Sequence, residues 1–191
     1  MWVIKNKMVF IAHPKMASRS IRGAMRKNMG EQIGSHHSIE IERIELERTR
    51  GASIGCVIRN PYDVMISWYF HMEVRKAARA PDLRRRPLPI KTFPEWVEFI
   101  LPKGNGYIEF GLYPGYKICD TILRYENLVM DWKAWSKHCR VVYQRLEHTG
   151  KSESRDGQHY STYYDDVSRE KVRAHFANEI ALGGYSFVSA E

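Results

Sequence analysis

The sequence is poor in cysteine and has no long apolar run. Its three cysteines, Cys56, Cys119 and Cys139, are far apart and form no Cys-x-x-Cys pair, which argues against a cysteine zinc site and a disulfide framework. Such cysteine usage is typical of a reducing compartment. No apolar stretch approaches the roughly 20 residues that a membrane-spanning helix needs. We therefore expect a cytoplasmic protein without a membrane span, whose first apolar run is a strand and not a signal peptide.

The composition is that of a globular protein with a basic surface. The 191 residues are 43% hydrophobic and 27% charged, which predicts one domain over residues 1–191 with a substantial core. The formal net charge of +8 at pH 7 favours anionic partners: nucleotides, acidic glycans, nucleic acid or an acidic membrane surface. Arginines and prolines crowd residues 79–91, and we interpret this segment as a basic loop or lid of the same domain.

A strand-like run is followed at once by a proline, a lysine and small polar residues. Met8–Ala12 is apolar, Pro14 interrupts it and Lys15 comes next, before Ser18 or Ser20 as the N-cap of a helix. Backbone N–H groups at the start of a helix bind anions, and the helix dipole favours negative charge there. The pattern therefore predicts an anion-cradling turn between a strand and a helix.

A second segment repeats this order. Arg59 ends an apolar strand, Pro61 suits the first turn of the following helix, and Ser67 lies two turns into it. Arginine grips phosphate with two parallel hydrogen bonds, and a serine hydroxyl can reach the same group. Together the two segments predict a clamp for the phosphates of a nucleotide.

The order of the elements favours an α/β fold. Strands that alternate with helices indicate a parallel sheet covered on both faces, with ligands at the carboxyl ends of the strands. The pattern G-x-x-x-x-G-K-[ST] is absent, so metal-dependent nucleotide hydrolysis is disfavoured and no metal is expected. Strands are predicted over residues 8–12, 53–58 and 118–124, and helices over 18–28, 39–49, 61–80, 93–101, 126–148 and 168–180.

Four segments, in this order, resemble motifs of the sulfotransferases. Phe10–Ile21 is similar to their 5′-phosphosulfate loop, although Met16-Ala17-Ser18-Arg19 lacks the glycine of the usual T-A-G-T. Arg59-Asn60-Pro61-Tyr62-Asp63 with Ser67 resembles their 3′-phosphate motif, with Val64 where an arginine is common. Ile122–Leu128 resembles their later strand-to-helix segment. The end of the chain resembles theirs in Tyr163-Tyr164-Asp165-Asp166 and Gly184-Tyr185-Ser186-Phe187.

This resemblance implies a P-loop-like three-layer fold, with a central parallel sheet flanked by helices. It also implies transfer of a sulfuryl group from 3′-phosphoadenosine 5′-phosphosulfate to a hydroxyl acceptor, with carbohydrate favoured, by in-line displacement without a metal. Lys15 would stabilise the leaving phosphate, and Arg59 and Ser67 would hold the 3′-phosphate. The cradle of the 5′-phosphosulfate would be formed by Ala17, Ser18, Arg19 and Ser20.

The reaction also needs a base that takes the proton of the acceptor hydroxyl. Histidine suits a base near neutral pH, and His36 and His37 match a family element; Glu31 and Glu40 are the alternatives. Arg155 would close over the adenosine phosphates. Three alternative functions stay open. They are a P-loop nucleotide kinase, a basic nucleic-acid-binding module, for which the sequence has no recognisable motif, and a donor-binding homologue without activity.

Overall fold

The chain forms two compact units, each built from two stretches of sequence. The first unit comprises Met1–Arg59 and Phe110–Gly150, and the second comprises Asn60–Glu109 and Lys151–Glu191. The computed structural model describes residues 1–34, 40–78, 92–101, 114–147 and 157–190. Within these ranges, no helix combines the length and the apolar character needed to cross a membrane.

Helices and strands alternate along much of the chain, as predicted. The strands are β1 (Trp2–Ile4), β2 (Met8–Ile11), β3 (Glu31–Gln32), β4 (Ser53–Ile58) and β5 (Thr121–Arg124). The helices are α1 (Ser18–Lys27), α2 (Ile41–Thr49), α3 (Pro61–Ala78), α4 (Phe93–Ile100), α5 (Leu128–His138), α6 (Asp166–His175) and α7 (Ala177–Gly183). Short 3-10 turns cover Pro114–Ile118, Tyr125–Asn127 and Tyr160–Tyr163.

The first unit contains a mixed sheet. The order of the five described strands is β3-β1-β2-β4-β5. The pairs β2–β4 and β4–β5 are parallel, whereas β1 pairs antiparallel with both β2 and β3. The prediction of a parallel sheet is therefore wrong for its β1–β3 side. Only residues 5–7 connect β1 to β2, and so short a connection permits a hairpin but not the crossover that parallel strands need.

Helices cover both faces of this sheet. On one face, Val9 and Ile54 belong to a core cluster that includes Ile44 of α2. On the other face, the Trp135 ring of α5 lies over Gly55, where a Cβ would come within 2.5 Å of the indole. The close approach of a helix to β4 thus requires glycine at this position. The sheet of the first unit is flanked by helices, as the α/β prediction stated.

The predicted ends of α5 and of the last helix are wrong. The helix predicted over residues 126–148 ends at His138, because Arg140 takes a left-handed φ of 52° and Val141 N–H donates to the Ser136 carbonyl at 2.9 Å. This is the backbone pattern of a Schellman-type helix stop, built here without glycine. The last predicted helix is two helices, α6 and α7, and Asp165 caps α6 in a capping box with Ser168.

The second unit is held together by aromatic packing and helix caps. Thr92 accepts a hydrogen bond from Glu95 N–H in a capping box, which confirms the predicted start of α4. Trp96 of the same helix is 1% exposed. The Tyr69 ring of α3 meets it edge-on, with the ring centroids 5.8 Å apart. These aromatic side chains therefore belong to the core of the unit.

Candidate functional site

The turn between β2 and α1 has an unusual backbone. Lys15 and Ala17 have φ values of 62° and 56°, in the left-handed region. Each non-glycine residue in this region costs on the order of 1–3 kcal/mol. Ser18, at the position where the resembling motif has glycine, is instead the first residue of α1. The left-handed geometry therefore lies beside the expected glycine position and not at it.

The first turn of α1 contains no acidic residue beside its backbone N–H groups. Ala17 is the N-cap, and no side chain of the described residues caps it, which corrects the prediction of Ser18 or Ser20 as N-cap. The first backbone bond of the helix runs from Ile21 N–H to the Ala17 carbonyl at 3.2 Å. The earlier N–H groups of a helix have no intrahelical partner, and the dipole makes this end positive. Arg19 is exposed in the same turn.

Arg59 fixes the lysine turn from the neighbouring strand. It follows β4, is 8% exposed, and its Nη1 donates to the Lys15 carbonyl at 2.9 Å. Its guanidinium carbon lies 4.0 Å from the centroid of the Tyr125 ring, just after β5. A cation over an aromatic face is stabilised by the ring quadrupole. Sequence reasoning assigned Arg59 to a phosphate; its contacts with the turn and with Tyr125 were missed.

These contacts bring three strand ends together. Lys15, Arg59 and Tyr125 follow β2, β4 and β5, which are adjacent and parallel. The prediction that the two basic turns share the carboxyl edge of the sheet is confirmed. In open α/β sheets, ligands bind at this edge. The arrangement places a lysine, a largely buried arginine and a positive helix end around one turn.

His13 precedes this turn by two residues in the sequence. It is 5% exposed, and its Nε2 is buried without a hydrogen-bond partner among the described residues. Its ring interacts with the thiol of Cys56 on β4. A buried polar atom without a partner is uncommon in a folded protein. The proximity of His13 and Cys56 depends on the pairing of β2 with β4 and could not be read from the sequence.

The second predicted motif is part of the second unit from Asn60 onward. Asn60 starts α3: its carbonyl accepts hydrogen bonds from Asp63 and Val64 N–H, each at 3.0 Å. Its side-chain Oδ1 accepts from Tyr62 N–H at 3.1 Å. Ser67 lies in the second turn of α3 and is half-buried. The predicted helix start at this motif is therefore confirmed, whereas the binding role of Ser67 stays a prediction.

The motif that begins at Asn60 and the motifs near the end of the chain meet inside the second unit. The Tyr62 ring packs edge-on against Tyr164 and Phe187, with ring centroids 5.8 Å and 5.1 Å away. Tyr164 Oη donates to the Tyr62 carbonyl at 2.9 Å, and Asn60 Nδ2 donates to the Ser186 carbonyl at 3.4 Å. Burial raises the pKa of Tyr62. The Asn60–Asp63 segment and the chain end are far apart in the sequence, yet they form one packed cluster.

The predicted bases and the late arginine are not all placed by the structure. His36, His37, Arg155 and the basic segment 79–91 lie outside the described residues. Of the alternatives, Glu40 is exposed at the N-cap of α2, and Glu31 is exposed on β3. The choice of base therefore stays a prediction.

The direction of β3 bears on the two histidines. Trp2 of β1 pairs with both Phe10 and Gln32, so β3 runs in the same direction as β2. The chain therefore leaves β3 at the edge of the sheet that carries the Lys15 turn. Gly34 is the last described residue before the segment that contains His36.

The described residues contain no group of three or more histidine, cysteine, aspartate or glutamate side chains that could hold a metal ion. The positive charge at the turn comes from Lys15, Arg59 and the start of α1. They suit an anion with several oxygen atoms, such as a phosphate or sulfate ester.

Comparison of the chain with models of known protein families gives no match, and comparison with curated proteins gives none either.

Proposed function

We propose that this protein is a sulfotransferase that uses 3′-phosphoadenosine 5′-phosphosulfate and transfers its sulfuryl group to a hydroxyl. One observation carries the proposal: the left-handed turn at Lys15 and Ala17, at the start of α1, is held by Arg59. Successive N–H groups in such a turn form a concave nest that favours anions. The proposal includes a P-loop-like arrangement of β2, β4 and β5.

In this proposal each part of the site has a separate task. The N–H groups and hydroxyls of Ala17–Ser20 cradle the 5′-phosphosulfate, and Lys15 neutralises the charge that grows on the leaving phosphate. Arg59, with Ser67 and Arg155, binds the phosphates of the adenosine. The contact of Arg59 with the Lys15 carbonyl gives it a second task, since it also fixes the shape of the cradle.

The chemical step is a displacement at sulfur. An acceptor oxygen attacks the sulfur in line, a new S–O bond forms, and the bond between the sulfur and the 5′-phosphate oxygen breaks. The leaving group is 3′-phosphoadenosine 5′-phosphate. Positioning and charge stabilisation supply most of the rate enhancement in related phosphoryl transfers. No metal-bound water is needed, because the nucleophile is the acceptor itself.

The acceptor proton leaves to a base, which we assign to His36 or His37. The direction of β3 supports this assignment, because the chain proceeds toward these histidines from the edge of the sheet with the Lys15 turn. His36→Ala is expected to lower turnover while nucleotide affinity is retained. Unchanged turnover in both His36→Ala and His37→Ala would move the assignment to Glu31 or Glu40.

Calorimetric titration with 3′-phosphoadenosine 5′-phosphate and with ADP, both without metal, tests the donor site. We expect the bisphosphate to bind at least tenfold more tightly, a difference of about 1.4 kcal/mol, because Arg59 and Ser67 recognise the 3′-phosphate. Equal affinities, or a preference for ATP that requires Mg²⁺, would overturn the proposal in favour of a nucleotide kinase.

Lys15→Ala is expected to abolish this binding, and Lys5→Ala is its matched control. Lys5 is an exposed lysine of the β1–β2 hairpin, at the opposite edge of the sheet. Loss of affinity in both variants would indicate general attraction by the +8 charge and not a built site. A steep fall of affinity with salt for DNA or RNA, and no nucleotide binding, would favour the nucleic-acid module.

A further inference from the structure

Two cysteines of the first unit lie side by side in the core. Cys56 is on β4 and is fully buried. Cys119, two residues before β5, is partly exposed and packs against the core cluster that contains Cys56. The sequence spacing of 63 residues gave no sign of this pairing.

The backbone around Cys119 is held firmly against β4. Asp120 N–H donates to the Ile54 carbonyl at 2.8 Å, and Ile54 N–H donates to Asp120 Oδ2 at 2.9 Å. The residue after Cys119 is thus tied at two points to the strand that carries Cys56. Cys119 is thereby held against the core cluster that contains Cys56, so its proximity to that cysteine does not depend on a loose loop.

The pKa values of the two thiols are shifted in opposite directions, so that the pair loses its first proton easily and keeps its second proton, which the two sulfurs share. The hydrogen bond from Cys119 and, to a lesser extent, the interaction with His13 together lower the pKa of Cys56 to about 6, in spite of burial. The hydrogen bond to Cys56 and burial both raise the pKa of Cys119. A thiolate, not a thiol, is the nucleophile in sulfur oxidation. The lowered pKa of Cys56 therefore favours the thiolate form that oxidation needs.

We propose that Cys56 and Cys119 form an oxidisable dithiol, which a small peroxide converts to a disulfide between β4 and the turn before β5. This site is independent of the proposed transferase activity. Cys139, the third cysteine, does not belong to it. Burial raises the pKa of its thiol to about 11, so it stays protonated and slow to react.

The reaction balances with peroxide as the only oxidant. The sulfur of Cys119, which is the more accessible, attacks one peroxide oxygen as the shared proton passes to Cys56. An S–O bond forms, the O–O bond breaks and hydroxide leaves. The Cys56 sulfur then attacks the Cys119 sulfur, the S–S bond forms, and the S–O bond breaks with release of water, which takes the Cys56 proton. Two electrons pass from the two sulfurs to the peroxide.

Intact-mass measurement of the full chain before and after hydrogen peroxide treatment tests this inference. We expect the mass to fall by two hydrogen atoms, one of the three thiols to remain alkylatable, and a cross-linked peptide pair to contain Cys56 and Cys119. Reduction with dithiothreitol is expected to restore the original mass. A cross-link to Cys139, or addition of oxygen to a single cysteine without a cross-link, would refute the pairing.

Single serine variants sharpen the test. Cys139→Ser is the matched control and is expected to lose two hydrogen atoms as the wild type does. Cys119→Ser and Cys56→Ser are each expected to lose this reaction. Because a buried serine can disturb folding, the wild-type peptide map decides the pairing without them: intact, unlinked thiols after treatment would overturn the proposal.

Discussion

Ala17→Gly is expected to stabilise the protein, although glycine usually destabilises. Ala17 has a φ of 56° at the N-cap of α1, and a left-handed backbone costs a residue with a Cβ roughly 1–2 kcal/mol. Glycine removes this cost but loses about 0.4–1 kcal/mol through the greater freedom of the unfolded chain. Glycine is also a better N-cap than alanine. The net expectation is a gain of about 0.5–1 kcal/mol in the free energy of unfolding.

Urea unfolding followed by tryptophan fluorescence measures this gain. Trp132 and Trp135 are buried in the first unit, which also contains the turn, so their emission reports its unfolding. In a thermal scan, a gain of about 1 kcal/mol corresponds to about 2–4 °C for a chain of this size. The slope of the urea transition is expected to stay unchanged, because the folded structure and the surface exposed on unfolding are the same.

Ala134→Gly is the matched control for this experiment. Ala134 is exposed in the interior of α5, in the same unit, where glycine is expected to cost about 1 kcal/mol. The two substitutions are chemically identical and are expected to have opposite signs. Equal destabilisation by both would refute the left-handed assignment at residue 17, and with it the strained turn on which the proposed anion site rests.

Three further expectations concern other parts of the chain. Arg59→Lys is expected to weaken donor binding at least tenfold in calorimetry, since lysine lacks the planar group that holds the turn and stacks on an aromatic ring. Glu47→Gln is expected to cost about 1.5–3 kcal/mol in urea unfolding, because the fully buried Glu47 carboxylate binds Asn6 N–H and two arginines; the exposed Glu45→Gln is expected to cost less than about 1 kcal/mol. A hydrogen bond from Ser168 lowers the pKa of Asp165 below its ordinary value of 3.8. The ionised carboxylate therefore stabilises the fold above pH 3.8, and this contribution is lost as the pH falls below 3.8 toward the lowered pKa. Asp165→Asn is expected to flatten that loss in acid unfolding curves.

Local patterns predicted the elements that have strong local signals. The apolar run before Pro14 gave β2, and Pro61 gave the start of α3. In contrast, β1 is three residues long, too short for any periodicity, and its pairing with β2 made the sheet mixed. Such pairings depend on the whole core and not on local propensity.

The parts of the candidate site also differ in how far the sequence predicts them. The positions of Lys15 and Arg59 at the carboxyl ends of strands followed from the order of the elements, whereas the adjacency of the two strands came from the structure. Three features required the folded chain: the left-handed Ala17, the stacking of Arg59 on Tyr125, and the contact of His13 with Cys56. Each joins residues of different strands or fixes a backbone angle that alanine rarely adopts, so no sequence pattern announces it.

The distribution of left-handed residues supports an anion site at the lysine turn. Among the described non-glycine residues, Asn6, Met29 and Arg140 also have a positive φ. Asn6 lies in a hairpin, and the other two follow helix ends, where such a conformation is an ordinary way to stop a helix. Lys15 and Ala17 instead lie before a helix, so their left-handed conformation is not explained by the need to end a helix. Strain of this kind persists where the surrounding structure enforces it and is often found at functional sites. Here Arg59 donates a hydrogen bond to the Lys15 carbonyl and so helps to hold the strained turn at the positive end of α1, where we propose that an anion binds.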